Sequence, residues 1–395
     1  MPEDDGGGGA DPDPDPDPDP DPPVDPLANL TFAQQGAKLV GSDLITPSYF
    51  GITVSLSDDG NTMAAGCPGD DLDAGGTFVF TRSNGTWSQQ GSKISATLDP
   101  DEQGTSVSLS GDGNTLAVGC PKRNTNNGGV RIYTRSEGVW TEQQLLVPTG
   151  INGPQAGVSV SLSSVGTRVA IGGWTDNSSV GAGWVWELTG GTWSQLGSKI
   201  VPVGVNGWGH VVSLSGDGTT LAIGTRDGIG GTYIYIESGG DWVVQGDRFT
   251  EGSTSSNLSI SLSITGDVLA IGDVESAGGG ATYIYKRTGA TWSAGTKVQG
   301  DPGVTNEGQG SAVSLDDDGT ILAVTTGGIE DSRLLLFSLV GDTWTQHETS
   351  WQPSGLTAFH GFGFSAAISG DGLTTAVGAP YDNAAAGAVC IFAET

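Results

Sequence analysis

Three histidines are the side chains of this 395-residue sequence best suited to acid–base chemistry or metal ligation. They are His210, His347 and His360. No recognisable motif surrounds them: the sequence lacks G-x-S-x-G, H-E-x-x-H, a phosphate loop and a Cys-His pair in a familiar setting. A glycosidase needs two carboxylates at a defined separation. The sequence contains 45 acidic residues, but the place of none of them marks it as one of a catalytic pair. The sequence therefore predicts no catalytic residue and no cofactor.

Aspartates in one short segment have the residue types of a cation site. Asp70, Asp71 and Asp73 stand close together in a Gly- and Pro-rich stretch. Carboxylate oxygens are the ligands that calcium prefers. Three carboxylates on a loop are more often solvated, so these residues are candidates only and no metal site is predicted.

Tryptophans fall into a regular and an irregular group. Six of the eleven recur at a constant place, which indicates packing between repeated units: Trp87, Trp140, Trp193, Trp242, Trp292 and Trp344. Trp174 and Trp208 break this regularity, and exposed aromatic side chains often form binding surfaces. Trp184 and Trp186 are two residues apart on one predicted strand, so their side chains point to the same face, which favours burial.

One segment of the type V-S-L-S-x-D-G-x-T-L-A-x-G recurs seven times. The spacing is about 53 residues, with one shorter unit of about 48. A period of this length predicts a repeat architecture, and it positions every candidate above. The copies are Val54–Gly66, Val107–Gly119, Val160–Gly172, Val212–Gly224, Ile260–Gly272, Val313–Thr325 and Ala366–Gly378.

Each unit has four runs of alternating apolar and polar residues, separated by turn residues. In the first unit the dipeptide Asp59-Gly60 predicts a tight type I′ hairpin between the first two runs. With no helical periodicity, the pattern predicts an all-β fold, a seven-bladed β-propeller of four-stranded antiparallel blades. Small residues on the first strands, such as Ser55 and Ser108, should let neighbouring sheets approach closely.

The chain ends predict how the ring closes. The last unit lacks a fourth strand, and residues 31–39 match residues 86–94, with Phe32 in the place of Trp87. The N-terminal strand should therefore complete the last blade. The predicted propeller spans residues 30–395, with blades near 50–94, 103–147, 156–200, 208–249, 256–299, 309–350, and 362–395 plus 30–40.

These units resemble FG-GAP repeats, the propeller units of integrin α-subunit heads. The motif is complete in the last unit as Phe362-Gly363 and then Gly378-Ala379-Pro380. The resemblance covers about nine-tenths of the chain and implies a propeller with a binding role. Calcium-binding members carry an acidic D-x-D-x-D-G loop between the first two strands, but this sequence has shorter turns there. A short hairpin cannot wrap six to eight oxygens around an ion, so calcium is not expected at these turns.

The chain path divides the loops between two faces. The hairpins between the first and second strands share one face with the third-to-fourth turns, and we call it the turn face. The second-to-third loops share the opposite face with the inter-blade loops, and we call it the entry face. Loops vary most on the entry face, where partners of a rigid scaffold usually bind. The candidate ligand-binding residues there are Trp174, Trp208, His210 and His360. His210 and His360 belong to non-adjacent units, so a shared metal is not predicted.

Charge excludes some partners. The formal net charge of −30 disfavours nucleic acid and anionic membrane surfaces, and no apolar run is long enough to span a membrane. Residues 1–29 form an Asp- and Pro-rich tail, predicted to be an extended, disordered spacer. The N-terminus shows no secretory signal. The three cysteines, Cys67, Cys120 and Cys390, are expected to be buried thiols.

The expected function is a non-catalytic scaffold, extracellular or on the cell surface, that binds a protein or glycan as a monomer. A polysaccharide-active enzyme with a site at the channel mouth is one alternative. A purely structural spacer is the other.

Overall fold

The computed structural model describes residues 24–95, 100–151, 155–201, 208–225, 231–250, 259–300, 308–327, 331–347 and 350–395. Most of the acidic tail and Asn257, which replaces an FG glycine in the fifth unit, lie outside these ranges. The described strands form seven antiparallel sheets. In six of these sheets the strand order from the channel outward follows the sequence, and in the seventh the N-terminal strand takes the outermost place, which confirms the predicted seven-bladed propeller.

Blades one to six each consist of consecutive strands, and blade five has its outer strand in two pieces. Blade seven combines the last three strands of the chain with the first. The first three blades contain β2 Val54–Leu56, β3 Thr62–Gly66, β4 Thr77–Ser83 and β5 Thr86–Gln89; β6 Val107–Leu109, β7 Thr115–Gly119, β8 Val130–Ser136 and β9 Val139–Leu146; and β10 Ser159–Leu162, β11 Arg168–Gly173, β12 Ala182–Thr189 and β13 Thr192–Ile200. Blades four and five contain β14 Trp208–Leu214, β15 Thr220–Thr225, β16 Thr232–Ser238 and β17 Asp241–Phe249; and β18 Ser259–Leu262, β19 Val268–Asp273, β20 Ala281–Thr288, β21 Thr291–Trp292 and β22 Thr296–Val298. Blades six and seven contain β23 Val313–Leu315, β24 Ile321–Thr325, β25 Leu334–Val340 and β26 Thr343–Gln346; and β27 Ser365–Ile368, β28 Thr374–Ala379, β29 Ala388–Glu394 and β1 Phe32–Gln34.

The ring closes as predicted, through the N-terminal strand. β1 pairs antiparallel with β29, with Phe32 opposite Glu394. The Phe32 ring is buried and meets Trp351 edge-on, with ring centroids 5.8 Å apart. Leu27, which the sequence placed in the tail, is also buried in this cluster. Apolar contacts therefore reinforce a closing strand that is only three residues long.

First-strand serines join neighbouring blades by hydrogen bonds as well as by close packing. Ser55 Oγ accepts the N–H of Leu109 in the next blade at 2.9 Å. Six of the seven interfaces repeat this bond, from Ser55, Ser108, Ser161, Ser213, Ser261 and Ser314. At the seam, the contact between blade seven and blade one, Ala367 takes the serine place and has no hydroxyl.

Glycines allow the blades to approach at the backbone. A Cβ added to Gly378 of blade seven would lie 1.9 Å from the carbonyl oxygen of Gly51 in blade one. Gly66 and Gly119 meet the FG glycine of the following blade at the same distance. These FG glycines therefore serve as inter-blade contacts, and a side chain added to a partner glycine would push the blades apart.

The recurrent tryptophans of the outer strands are held between blades. Trp87 Nε1 donates to Gln35 of the neighbouring blade at 2.8 Å, and the Arg82 guanidinium lies 5.5 Å from the indole centroid. Blades two and five repeat this arrangement with Trp140 and Trp292. Trp184 and Trp186 are buried, as their alternation predicted.

The hairpin between the first and second strands differs from the predicted type I′ turn. Gly60 has a φ of 62°, but Asp59 does not have the positive φ that type I′ requires. The Asp59 carboxylate instead accepts hydrogen bonds from Ser57 Oγ and from the Asn61 N–H. Asp112, Asp217 and Asp371 make the equivalent bonds in their blades. These carboxylates stabilise their own turns.

Short helical turns, which the sequence did not predict, occupy four of the second-to-third loops in the described residues. They are α1 Asp70–Asp73, α2 Arg123–Asn126, α3 Asp176–Ser179 and α4 Asp382–Ala385. Asp71 and Leu72 in α1 have left-handed backbone angles, so this turn is not a regular helix. The three cysteines are free and buried, as expected.

Candidate functional site

The central channel widens into a cavity of about 300 Å³ where the first strands begin, on the entry side. All seven blades contribute small side chains to its wall. The polar members are hydroxyls: Thr53, Thr105, Ser106, Ser159, Ser259, Ser311 and Ser365. His210 and Phe364 add the two ring side chains. The cavity therefore offers hydrogen-bonding groups of low charge beside an aromatic surface.

A ring of backbone hydrogen bonds surrounds the channel at the turn face. The N–H of Asp58 donates to the Gly111 carbonyl at 2.9 Å, and Gly111 donates to Ser164 at 2.8 Å. The pattern continues around the ring through Gly216, Asp217, Ile264, Asp317 and Gly370 and returns to Asp58. This end is therefore fixed by main-chain contacts between all neighbouring blades.

Two carboxylates lie together in this ring. Asp58 Oδ2 accepts a hydrogen bond from Ser164 Oγ at 2.7 Å. Asp58 and Asp317 both lie beside Gly370. Burial, followed by the neighbouring Asp58 charge, raises the pKa of Asp317 to about 6. Burial also raises the pKa of Asp58. The turn-face end of the channel thus holds crowded negative charge at neutral pH.

We expect Asp317→Asn to stabilise the protein at pH 7 and above. Because the pKa of Asp317 is raised in the folded state, the folded protein binds this proton more tightly, and stability falls as pH rises from about 4 to 6. The carboxyl is half exposed, so screening limits the expected gain to about 1 kcal/mol at pH 7. Urea unfolding at pH 4.5 and pH 7.5 measures it. An equal effect of the exposed control Asp43→Asn, or no pH dependence of the gain, would contradict the assignment.

Trp174 and His210 meet at the interface of blades three and four. Trp174 follows β11, and its ring centroid lies 6.1 Å from that of His210, edge to face. His210 lines the channel cavity. The contact between Trp174 and His210 was not predicted, because the sequence paired Trp174 with Trp208 of the adjacent blade. Trp208 begins β14 opposite Thr225, and its side chain lies outside the described part of the structure.

His360 has a structural position. Its imidazole is buried, and Nδ1 accepts the Phe362 N–H at 3.0 Å. Burial lowers its pKa, against the opposing effect of Asp382. The side chain does not line the cavity, which His210 does. His360 thus orders the loop that enters blade seven.

Asp70 is also structural, because an ammonium group occupies the place that a cation would take. Its buried carboxylate pairs with Lys93 and accepts the Ile45 N–H at 2.5 Å. Asp71 is partly exposed and Asp73 exposed. Among the described residues, no group of three His, Cys, Asp or Glu side chains is placed to hold a metal. Equivalent pairs fasten blades three and seven: Asp176 with Lys199, and Asp382 with Lys38.

An aromatic group at the seam was not found from the sequence. Phe364 and Tyr381 are each 43% exposed, and their ring centroids lie 6.0 Å apart. Tyr49 meets the other side of Tyr381 at the same centroid distance. We call Tyr49, Phe364 and Tyr381 the rim cluster, because Phe364 also lines the channel cavity. Its sequence signal is weak: Tyr49 and Phe364 flank FG pairs, and Tyr381 follows the Gly-Ala-Pro motif.

Comparison with known proteins supports the fold alone. No protein-family model and no curated protein sequence matches the chain. Among solved structures, a chain of the mitotic checkpoint complex aligns over 96% of this chain and 96% of its own, with 15% identity and a TM-score of 0.61. A chain of Kuenenia stuttgartiensis hydrazine synthase aligns over 86% of this chain and 94% of its own, with 14% identity and a TM-score of 0.56.

Within the described residues, no helix is long and apolar enough to cross a membrane.

Proposed function

We propose that this protein is a non-catalytic, monomeric β-propeller scaffold, extracellular or displayed on a cell surface, that binds a protein or glycan partner through its entry face. The observation that carries the proposal is the position of the exposed aromatic side chains. Phe364 and Tyr381 of the rim cluster are exposed, and the partly buried Tyr49, Trp174 and His210 lie on the same face. Phe364 and His210 line the channel cavity. Exposed aromatic groups on a rigid scaffold are typical of recognition surfaces.

The contrast between the two faces supports this choice. On the turn face, the recurring aspartates hydrogen-bond within their own hairpins, and backbone contacts tie the hairpins together around the channel. Groups used in this way are not free to recognise a partner. The entry face varies from blade to blade, and variable loops on a fixed framework are the usual site of function. The FG-GAP resemblance and the acidic composition favour an extracellular or surface location.

The cavity lining favours binding over hydrolysis. Hydrolysis of a glycosidic bond uses two carboxyl groups that flank the scissile bond. The described residues that line the cavity include no Asp or Glu. A purely structural spacer would leave the exposed rim cluster without a role. We therefore favour the binding scaffold over both alternatives.

Arrays of glycans and proteins, probed with the purified full chain, test the proposal. We expect reversible capture of at least one arrayed partner and no product release when that partner is incubated with the protein in solution. Trp174→Ala should weaken capture at least threefold if the partner reaches across the channel from the rim cluster. Hydrolysis of an arrayed glycan would contradict the non-catalytic role.

A further inference from the structure

The seam between blades seven and one carries three aromatic rings in a continuous row. Phe364 enters blade seven, Tyr381 begins its second-to-third loop, and Tyr49 precedes the FG glycine of blade one. Both contacts between neighbouring rings are edge to face. Phe364 and Tyr381 are each 43% exposed, so two adjoining rings of this row present aromatic surface to solvent.

The rim cluster is held in place by the main chain. The Tyr49 N–H donates to the Ala385 carbonyl across the seam at 2.9 Å, and the Tyr381 N–H donates to the His360 carbonyl at 3.1 Å. Tyr49 has a left-handed φ of 54°, which is costly for a bulky residue and persists only where its surroundings enforce it. The main chain that carries Tyr49 and Tyr381 is therefore fixed before any partner arrives, which lowers the entropic cost of binding.

The cavity beside Phe364 is polar and small. Hydroxyl groups from several blades line it, and part of their hydrogen-bonding capacity joins the blades, as when Ser365 Oγ donates to the Gly51 carbonyl. The described lining contains no Lys or Arg. With a net charge of −30, the protein repels anionic ligands. Valine, isoleucine and alanine side chains lie between these hydroxyls, so an apolar peptide anchor would bury hydroxyl groups together with apolar surface.

We propose that the rim cluster and the adjoining channel mouth bind the end of a neutral saccharide chain. The C–H face of a pyranose ring would lie against the rim cluster, and its hydroxyls would bond to serine and threonine hydroxyls of the channel mouth. Aromatic surface combined with a few directed polar groups is the common composition of such ligand sites. This assignment rests on the proposed binding function of the entry face and names its ligand class and position.

Isothermal titration calorimetry of the full chain with defined hexasaccharides tests this site. The probes are cellohexaose, xylohexaose and mannohexaose, with hexagalacturonate as the anionic comparison. We expect at least one neutral probe to bind more tightly than hexagalacturonate. Phe364→Ala and Tyr381→Ala should each raise Kd at least tenfold, whereas Phe364→Tyr should keep it within threefold. The control is Val165→Ala, which truncates a side chain on the turn face that is 72% exposed. It should leave Kd unchanged.

Three outcomes would overturn the saccharide site. They are no binding of any neutral probe, preferred binding of hexagalacturonate, and neutral binding that both alanine variants leave intact while their melting temperatures match the wild type. Capture of a protein partner that depends on Phe364, without neutral saccharide binding, would overturn this assignment and leave the proposed scaffold function standing. Absence of any partner in both experiments would contradict the proposed function as well.

Discussion

Gly378→Ala is expected to destabilise the protein by about 3 kcal/mol. The new methyl group would lie 1.9 Å from the Gly51 carbonyl oxygen and 2.4 Å from Ser365 Oγ. The first contact is with backbone, so no side-chain rotation relieves it, and blades seven and one must separate. Added atoms in a closely packed interior cost about 1–3 kcal/mol, and a backbone clash belongs at the upper end. Chemical denaturation monitored by tryptophan fluorescence measures the change.

The chain provides both a control and a natural contrast for this prediction. Gly327→Ala adds the same methyl group, but its nearest neighbours are side-chain atoms of Ser311 at an ordinary 3.4 Å, so we expect a change below about 1 kcal/mol. In blade six, Thr325 replaces the strand-two glycine, and its Oγ donates to the Gly363 carbonyl at 2.7 Å. In this blade a hydrogen bond replaces the close approach of a strand-two glycine to the FG glycine of the next blade. Equal stability of Gly378→Ala and Gly327→Ala would contradict the close approach at the seam.

Phe32→Ala is expected to cost about 3 kcal/mol and to loosen the ring. Phe32 is the buried residue of a three-residue closing strand, and it contacts Trp351 and His347 edge-on. Its ring belongs to the apolar cluster shared by blades six and seven, which includes Leu334 and Phe362. Loss of the phenyl ring therefore removes apolar contact that fastens the closing strand to blade six. Separation of the strand would expose the edge of β29, which can pair with other chains.

Urea unfolding and size-exclusion chromatography follow these two effects. We expect a lower midpoint and, near the midpoint, concentration-dependent association. The control is Leu72→Ala, which truncates a side chain that is 88% exposed and should change stability by less than about 0.5 kcal/mol. A Phe32→Ala protein as stable as this control would show that the N-terminal strand does not hold the ring together.

The scaffold could be predicted because the same residues recur at a fixed spacing. Alternating runs such as residues 51–57 predict strands, and the match of residues 31–39 to residues 86–94 predicts the closure. Turn geometry was harder, because Asp-Gly suits more than one hairpin type. The Asp59 side chain decides between them by bonding to Ser57 and Asn61.

The candidate site was predicted only in part, because binding groups lie where the repeat fails. Trp174 and His210 could each be placed on the entry face by counting loops, but their contact was not predicted. The rim cluster could not, since Tyr49 and Phe364 are separated by more than 300 residues and come together only when the ring closes. His360 shares their face, but its local bond to the Phe362 N–H, which sequence spacing does not reveal, gives it a structural role.

Binding by paired face variants tests the assignment of function to the entry face most directly. The array that captures a partner of the wild-type chain is repeated with the double variant Trp174→Ala/Phe364→Ala and with the turn-face variant Val165→Ala. We predict at least a tenfold loss of capture for the double variant and none for Val165→Ala, with all three proteins folded by circular dichroism. Unchanged capture by the double variant, or loss with Val165→Ala alone, would contradict the assignment.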